Sequence, residues 1–415
     1  MENYNETKLS DLLTEKQLRH ILHQIASGSH LLSYDLRPAS QGLSGFLGDH
    51  FRLTLNVKQK NILKKIHLFV KSLPLVNKHK SEFIQESNYS ARENMMFQIF
   101  DEIPGDDGPN PWRTKGYIHN EKVIVMPDLS LEGYKVHPVE KEFDRNHALV
   151  GVSSIARFHA AFCNYLTESS RKTSCNFLEE NKHVMSEPTY KDCPWLRAGV
   201  RVTYNILKEY SSKWKQCPAD LLDQLTKLYI KACDMVKEYE DTLNVIIHKD
   251  LWANNILFKY SGEKPTNAVL IDFQCTRYAP PAFDVMIFLY LNTSEKFRDC
   301  HESEILDHYF TIFSKNLDGL TKIRVKNYNK AQFLKWCEKA RLFAMVETAL
   351  IYPYIMMDPE VARDHFDDSD KYVEYLKDRT YPVLSHAKEN SSYRDSQLSI
   401  CEEIVEKYCI LKNSP

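Results

Sequence analysis

The run from Val245 to Gln274, VIIHKDLWANNILFKYSGEKPTNAVLIDFQ, decides how the rest of the chain is read. Two short apolar runs in it have the composition of strands. Asn255 opens the first, NILF. Gly262, Pro265 and Asn267 then supply turn chemistry, and AVLI follows, delivering Asp272. Paired antiparallel, the two runs bring Asn255 and Asp272 to the same end of the ladder, with Asp250 in the loop just before Asn255. An amide oxygen and a carboxylate suit a hard cation such as Mg²⁺, which keeps its waters or takes phosphate oxygens for the rest of its shell. The second carboxylate, Asp250, is left to accept a proton from a hydroxyl nucleophile. A metal on the phosphates and a base at the attacking oxygen is the layout of phosphoryl transfer. Taken singly, each acid reads as a polar loop residue. The spacing H-x-D-x-x-x-x-N, followed by a hairpin that ends in Asp, carries the reading.

Bulk properties bound what surrounds this hairpin. A chain of 415 residues is too long for one small core and implies two lobes or domains. A net charge of −2 gives no general affinity for nucleic acid or anionic membrane. The opening MENYNETKLSDLLTEK is polar, without a signal-type apolar core, and the run VMIFLYL (Val285 to Leu291) is too short to span a bilayer. The ten cysteines show neither C-x-x-C nor a dense framework, so reduced thiols and a cytoplasmic setting are expected. No obligate protein partner is evident.

Along the chain, a β-rich part precedes a helical one. HFRLTLNV (His50 to Val57), KIHLFVKSLP (Lys65 to Pro74) and EKVIVMPDL (Glu121 to Leu129) read as strands, and SNYSARENMMFQIFDEIP (Ser87 to Pro104) reads as a helix. Apolar periods near 3.6 predict helices in Glu140 to Leu166, Ala219 to Leu243 and Phe333 to Met357. The expected class is α+β. Residues 1–29 form an N-terminal extension expected to be helical, 30–127 a nucleotide-binding part, and 128–415 a helical part with the catalytic and metal loops and the acceptor pocket.

HKDLWANNIL followed by VLIDFQ resembles the catalytic and metal loops of the aminoglycoside phosphotransferase and choline kinase-like superfamily, which shares the protein-kinase fold. Leu251–Trp252 after the Asp, and Gln274 where protein kinases carry Gly, make the chain similar to the insect ecdysteroid kinase-like family. MPDLSLEGYK (Met126 to Lys135) resembles that family's hinge, with Pro127 in place of its usual Glu. SIARFHAAF (Ser154 to Phe162) resembles its LARFHA helix, and RYAPPAFDVMIFLY (Arg277 to Tyr290) its segment after the metal loop. The resemblance covers roughly residues 30 to 390. It implies a bilobal kinase-like fold, ATP and Mg²⁺ as cofactors, Asp250 as the catalytic base, and Asn255 and Asp272 as metal ligands. It also implies that His248 shapes the loop by bonding backbone near Asp272, and that Asp284 braces the loop.

On the nucleotide side, Lys71 ends an apolar strand, where an ammonium is costly unless paired. Glu93 in the following helix is the favoured partner over Glu82 and Glu86, and the resemblance points to the same two residues. Gly42, Gly45 and Gly48 lie between two strand candidates, where missing Cβ atoms let backbone N–H groups approach phosphate. This is neither G-x-G-x-x-G nor a Walker A. Backbone from Met126 through Asp128 to Leu129 is expected to hold the adenine, although Pro127 lacks one N–H donor.

The acceptor is the least legible part. Trp195, Tyr204, Phe288, Tyr290, Phe343, Met345, Tyr352, Tyr354 and Met356 are candidates for core or for pocket wall. The resemblance implies a hydroxylated lipophilic small molecule such as an ecdysteroid alcohol. Two alternatives stand beside it. One is a choline- or aminoglycoside-type kinase drawing a cationic acceptor to the acidic run DHFDDSD (Asp364 to Asp370). The other is an inactive kinase fold that binds a ligand or partner.

Overall fold

Strand alternation shapes the N-terminal part of the computed structural model, which describes residues 7–39, 48–103, 108–172, 177–366 and 368–410. Helices α1 (Leu9–Leu12) and α2 (Glu15–Ile25) come first; Thr14 and Gln17 close a capping box at the start of α2. Strands β1 (His30–Pro38), β2 (Asp49–Gln59) and β3 (Ile62–Ser72) follow. Lys60 and Asn61, with φ of 46° and 65°, make the two-residue turn between β2 and β3, as a primed hairpin turn requires. Phe51, Leu53, Leu55, Val57, Leu68 and Val70 point to one face and form a core with Leu12, Ile21 and Leu22 of the two N-terminal helices.

Helices α3 (Lys78–Glu86) and α4 (Tyr89–Glu102) lead to β4 (Ile118–His119) and β5 (Val123–Pro127). The sheet is antiparallel in the order β1-β2-β3-β5-β4. The Asp128 N–H bonds the His67 carbonyl at 3.3 Å, so Leu68 and Pro127 are the pair that exchanges no hydrogen bonds, and the N–H missing at Pro127 removes no sheet bond. Helix α4 belongs to the second, larger core. Its Arg92, 1% exposed, donates to the carbonyls of Ser87, Val184, Ser186 and Gln274.

The remainder is mostly helical. Strand β6 (Tyr134–Val136) precedes α5 (Arg145–Lys172), α6 (Phe177–Asn181), α7 (Pro194–Tyr210) and α8 (Leu221–Asp234). Strands β7 (Val245–Ile247), β8 (Ile256–Ser261) and β9 (Lys264–Leu270) carry the segment quoted above, and β10 (Arg277–Ala279) follows it and pairs with β7. Then come α9 (Ala282–Asn292), α10 (Glu295–Asn316), α11 (Gly319–Arg324), α12 (Lys330–Ile355), α13 (Pro359–Phe366), α14 (Ser369–Lys377), α15 (Thr380–Glu389) and α16 (Ser391–Val405). Every residue of α9 is buried, so this helix, apolar on all sides, is the central post of the lobe. The fold is the two-part α+β architecture expected from the sequence, a β-rich sheet followed by a helical lobe. No helix among the described residues is long and apolar enough to cross a membrane.

Candidate active site

The hairpin turns at Gly262, whose φ is 62°, whereas Pro265 and Asn267, expected in the turn, are paired within the second strand. Strands β8 and β9 pair antiparallel from Ile256↔Leu270 to Ser261↔Lys264, and the Ile271 N–H bonds the Asn255 carbonyl at 3.1 Å. Asn255 and Asp272 therefore share one end of the ladder. Asn255 donates its side-chain N–H groups to the Asp250 carbonyl (2.8 Å) and to Asp250 Oδ2 (2.9 Å), which leaves its own amide oxygen as an acceptor.

The loop that holds Asp250 is fixed from below. Asp284, in the first turn of α9, accepts the N–H groups of His248 (2.6 Å) and Lys249 (2.7 Å) and pairs with His159 Nε2 at 3.0 Å. His248 Nε2 donates to the Ile271 carbonyl (2.8 Å), and its Nδ1 accepts from the Asp250 N–H (3.3 Å). A carbonyl can only accept, so the tautomer is set. Burial lowers the His248 pKa and keeps the ring neutral. His248 thus ties the Asp250 loop to the backbone one residue before Asp272.

Lys71 joins the two lobes. Its ammonium lies 2.6 Å from Glu93 Oε2 and 2.7 Å from Asp272 Oδ1, while Asp272 Oδ2 accepts from Gln274 Nε2 at 3.2 Å. Burial works against the charge on Lys71, but the carboxylates of Asp272 and Glu93 outweigh it and raise the pKa. Burial pushes Glu93 up to about 7 against the pull of Lys71. Asp250 is also raised to about 7, by burial first and then by the negative charge of Asp272. Asp272 itself holds φ at 68°, a left-handed conformation that costs a residue with a Cβ about 1–2 kcal/mol.

The donor set tests the place for magnesium. Among the described residues no three His, Cys, Asp or Glu side chains form a metal cage. One carboxylate, one amide oxygen and a second carboxylate, raised to about 7 by burial and then by the charge of the first, leave a deficit of positive charge. That is what an ion needing few protein ligands and several phosphate oxygens fits.

The remaining nucleotide candidates fall out unevenly. Gly48 packs against the end of β3; a Cβ there would lie 3.2 Å from the Ser72 carbonyl oxygen and 3.6 Å from the Lys71 side chain. Gly42 and Gly45 lie outside the described residues. Met126 lines the cleft beside Phe69, Lys71 and Glu93. The Asp128 side chain caps the turn that begins at Leu129, accepting from Ser130 N (3.1 Å) and Oγ (2.6 Å), and its N–H is already bound to His67. The Asp128 backbone donor is therefore already in use.

Beyond Asp250 the cleft continues into an aromatic cavity. Its wall includes Tyr89, Tyr190, Trp195, Trp252, Tyr354 and Tyr372, with Ile351, Ile355 and Leu376. Of the aromatics and aliphatics singled out in the sequence, Trp195 and Tyr354 line this cavity, whereas Phe288, Tyr290, Phe343 and Met345 are core. Phe83 of α3 meets Tyr372 of α14 edge-on at 6.2 Å, closing the cavity between the lobes. The acidic run lies elsewhere: Asp364, Asp368 and Asp370 are exposed, and Asp368 caps α14. The support it gave to a cationic acceptor is thereby removed. Lys249, Glu187, Tyr190 and His50 were not singled out from the sequence. Burial and nearby Lys71 hold His50 down at about 4, so it lines the cleft as a neutral ring.

This two-lobed site, with an inter-lobe Lys–Glu–Asp contact beside a braced loop carrying Asp250, is kinase-like in layout. The chain belongs to the ecdysteroid kinase-like family, which it matches over residues 43–322. It is also similar to an uncharacterized kinase-like protein of Caenorhabditis elegans, at 26% identity over 239 residues, 55% of this chain and 57% of that protein. The chain thus spans little more than half the length of that relative. Looser likenesses among solved structures include APH(2″)-IIa in a ternary complex with streptomycin and ATP, at 12% identity and a TM-score of 0.35, covering 80% of this chain and 98% of that one. The aminoglycoside phosphotransferase APH(3″)-Id of Streptomyces rimosus, in complex with ADP and streptomycin, gives 11% identity and a TM-score of 0.33, covering 81% and 99%.

Proposed function

We propose that the protein is an ATP- and magnesium-dependent phosphotransferase that phosphorylates a hydroxyl group of a lipophilic small molecule, of the ecdysteroid-alcohol type. The observation that carries this reading is the Lys71 ammonium, held between Glu93 and Asp272 at 2.6 and 2.7 Å, with Asp250 one hairpin end away. Lys71 binds the α- and β-phosphates. Magnesium, when bound through Asp272 and the Asn255 amide oxygen, supplies the positive charge that offsets the phosphate oxygens. Asp250, with a pKa near 7, takes the acceptor hydroxyl proton as the new O–P bond forms and the bond from the γ-phosphorus to the β-phosphate oxygen breaks, releasing ADP. Asp284 and His248 keep the carboxylate aimed. The aromatic cavity beyond Asp250 supports a ring-bearing acceptor, since stacked aromatic walls gain by burying apolar area without hydrogen-bond demands.

The test is direct. Purified protein is incubated with labelled ATP, magnesium and a panel of ecdysteroids and plant phenolics. A phosphorylated product is expected with wild type and none with Asp250→Asn, while Mg–ATP raises the Tm of both. Turnover by Asp250→Asn at the wild-type rate removes the base assignment, and absence of any Mg–ATP stabilisation removes the kinase reading.

A further inference from the structure

The wall of the aromatic cavity carries cations of its own. Lys249 stands between His248 and Asp250 with φ at 66°, a region that suits glycine, so a lysine here is held against local preference. Its side chain is 3% exposed and runs along the cavity. The ammonium lies over the Tyr190 ring, 3.5 Å from the centroid, and 3.1 Å from Glu187 Oε2. The same Glu187 oxygen takes Arg277 Nε at 3.3 Å, so one carboxylate answers two cations. Behind two rings of the wall, the Arg379 guanidinium carbon lies 5.2 Å from the Trp195 ring and 5.1 Å from the Tyr354 ring. Arg379 is fully buried and donates to the Trp195 carbonyl; its Nε and Nη2 have no hydrogen-bond partner among the described residues. Glu347, 1% exposed behind Tyr190 and Lys249, does not cancel this charge, because burial pushes its pKa well above the carboxylate range.

Aromatic rings attract ammonium groups through their faces. Here the faces that would do so are engaged by lysine and arginine side chains of the protein. We infer that Lys249, seconded by Arg379, is a specificity-determining charge filter, admitting neutral ring-bearing alcohols to the cavity and turning away acceptors that carry an ammonium group. This rests on the reading that the cavity beyond Asp250 receives the acceptor. Lys249 and Arg277 share the single Glu187 carboxylate, so the cluster keeps one net positive charge; a second about 8 Å away, at an effective dielectric of about 20, is disfavoured by more than about tenfold.

An isosteric pair of probes reads the filter: 4-tert-butylbenzyl alcohol and its trimethylammonium counterpart, (4-hydroxymethylphenyl)trimethylammonium. Each is titrated into the full chain saturated with Mg–ADP, using wild type, Lys249→Met and Lys249→Gly. Glu187 keeps Arg277 as partner in both variants, and glycine suits φ 66°, so the second variant serves where the first folds poorly. The expected result is that wild type binds the neutral probe at least about tenfold more tightly and that the ratio falls to within about threefold once Lys249 is removed. Equal affinities in wild type, a ratio unmoved in both variants, or no binding of either probe overturns the proposal. Mg–ATP stabilisation, measured in parallel, separates the two readings. If it persists while the ratio does not move, only the filter fails; if it is absent, the kinase reading fails whatever the probes do.

Discussion

Replacing Lys71 with Met leaves two carboxylates facing each other across a buried gap. The ammonium contacts Glu93 at 2.6 Å and Asp272 at 2.7 Å, and both Lys71 and Glu93 are buried. Breaking a buried pair by removing one partner costs about 3–5 kcal/mol when the other stays charged. Glu93 has an escape, since its pKa already stands at about 7 in the folded protein. Without Lys71 the lowering pull is lost and that pKa climbs further. A carboxyl whose folded pKa exceeds its unfolded value of about 4.5 binds its proton more tightly when folded. The stability this confers is complete below about 4.5 and declines as pH rises through the folded pKa. In wild type the decline ends near 7; in the variant it continues above 7, at about 1.4 kcal/mol per unit of additional shift. The deficit of Lys71→Met is therefore small at pH 6 and grows by pH 8.5 towards the full 3–5 kcal/mol. Denaturant unfolding of both proteins at the two pH values measures it. A deficit that is flat with pH, or that shrinks as pH rises, refutes the picture of one ammonium restraining two acids.

Three further outcomes are expected. With Asp250 raised to about 7, kcat/KM for phosphoryl transfer rises with pH between about 6 and 8 and then levels, because only the ionised carboxylate accepts the hydroxyl proton; a profile flat across that range contradicts Asp250 as base. Asp284→Asn keeps one acceptor oxygen for two loop N–H groups, so it lowers stability by about 1–3 kcal/mol and turnover by a larger factor, measured by denaturant unfolding and product formation. Gly199→Ala places a methyl group 2.2 Å from Leu350 Cδ2 and 2.7 Å from Arg379 Nη2 and costs about 1–3 kcal/mol through overpacking, visible as a lowered Tm without loss of Mg–ATP binding.

The parts of this fold that repeat a short period could be read directly. Strand β2 shows every second residue buried, and the hairpin of β8 and β9 is bracketed by an Asn, a turn at Gly262 and an Asp, so periodicity and turn chemistry both point to it. Strand β1 is almost wholly exposed at the sheet edge and gave no alternation to read. Helix α3, KHKSEFIQE, buries only Lys80 and Ile84 and looks like a linker by composition. At the site, Asp250, Asn255 and Asp272 are close in sequence and carry a spacing, whereas Glu187 sits 62 residues before Lys249 and has no pattern of its own. Lys249 fills the variable position of the H-x-D spacing, and its role depends on where Tyr190 lies. The cavity aromatics were the hardest to sort, because an apolar residue that packs in the core and one that walls a cavity leave the same mark on a sequence.

Arg92 bears on how such a protein can be controlled. Kinase folds are commonly gated by swinging the helix that carries the glutamate away from the strand lysine, which breaks the ion pair at low cost. Moving α4 here would strip one guanidinium of the carbonyls of Val184, Ser186 and Gln274, contributed by two separate segments, each charged hydrogen bond worth about 1.5–3 kcal/mol. The Lys71–Glu93 contact is thus riveted in place before any ligand arrives. If the proposed phosphoryl transfer holds, a swing of this helix is a costly way to switch it off.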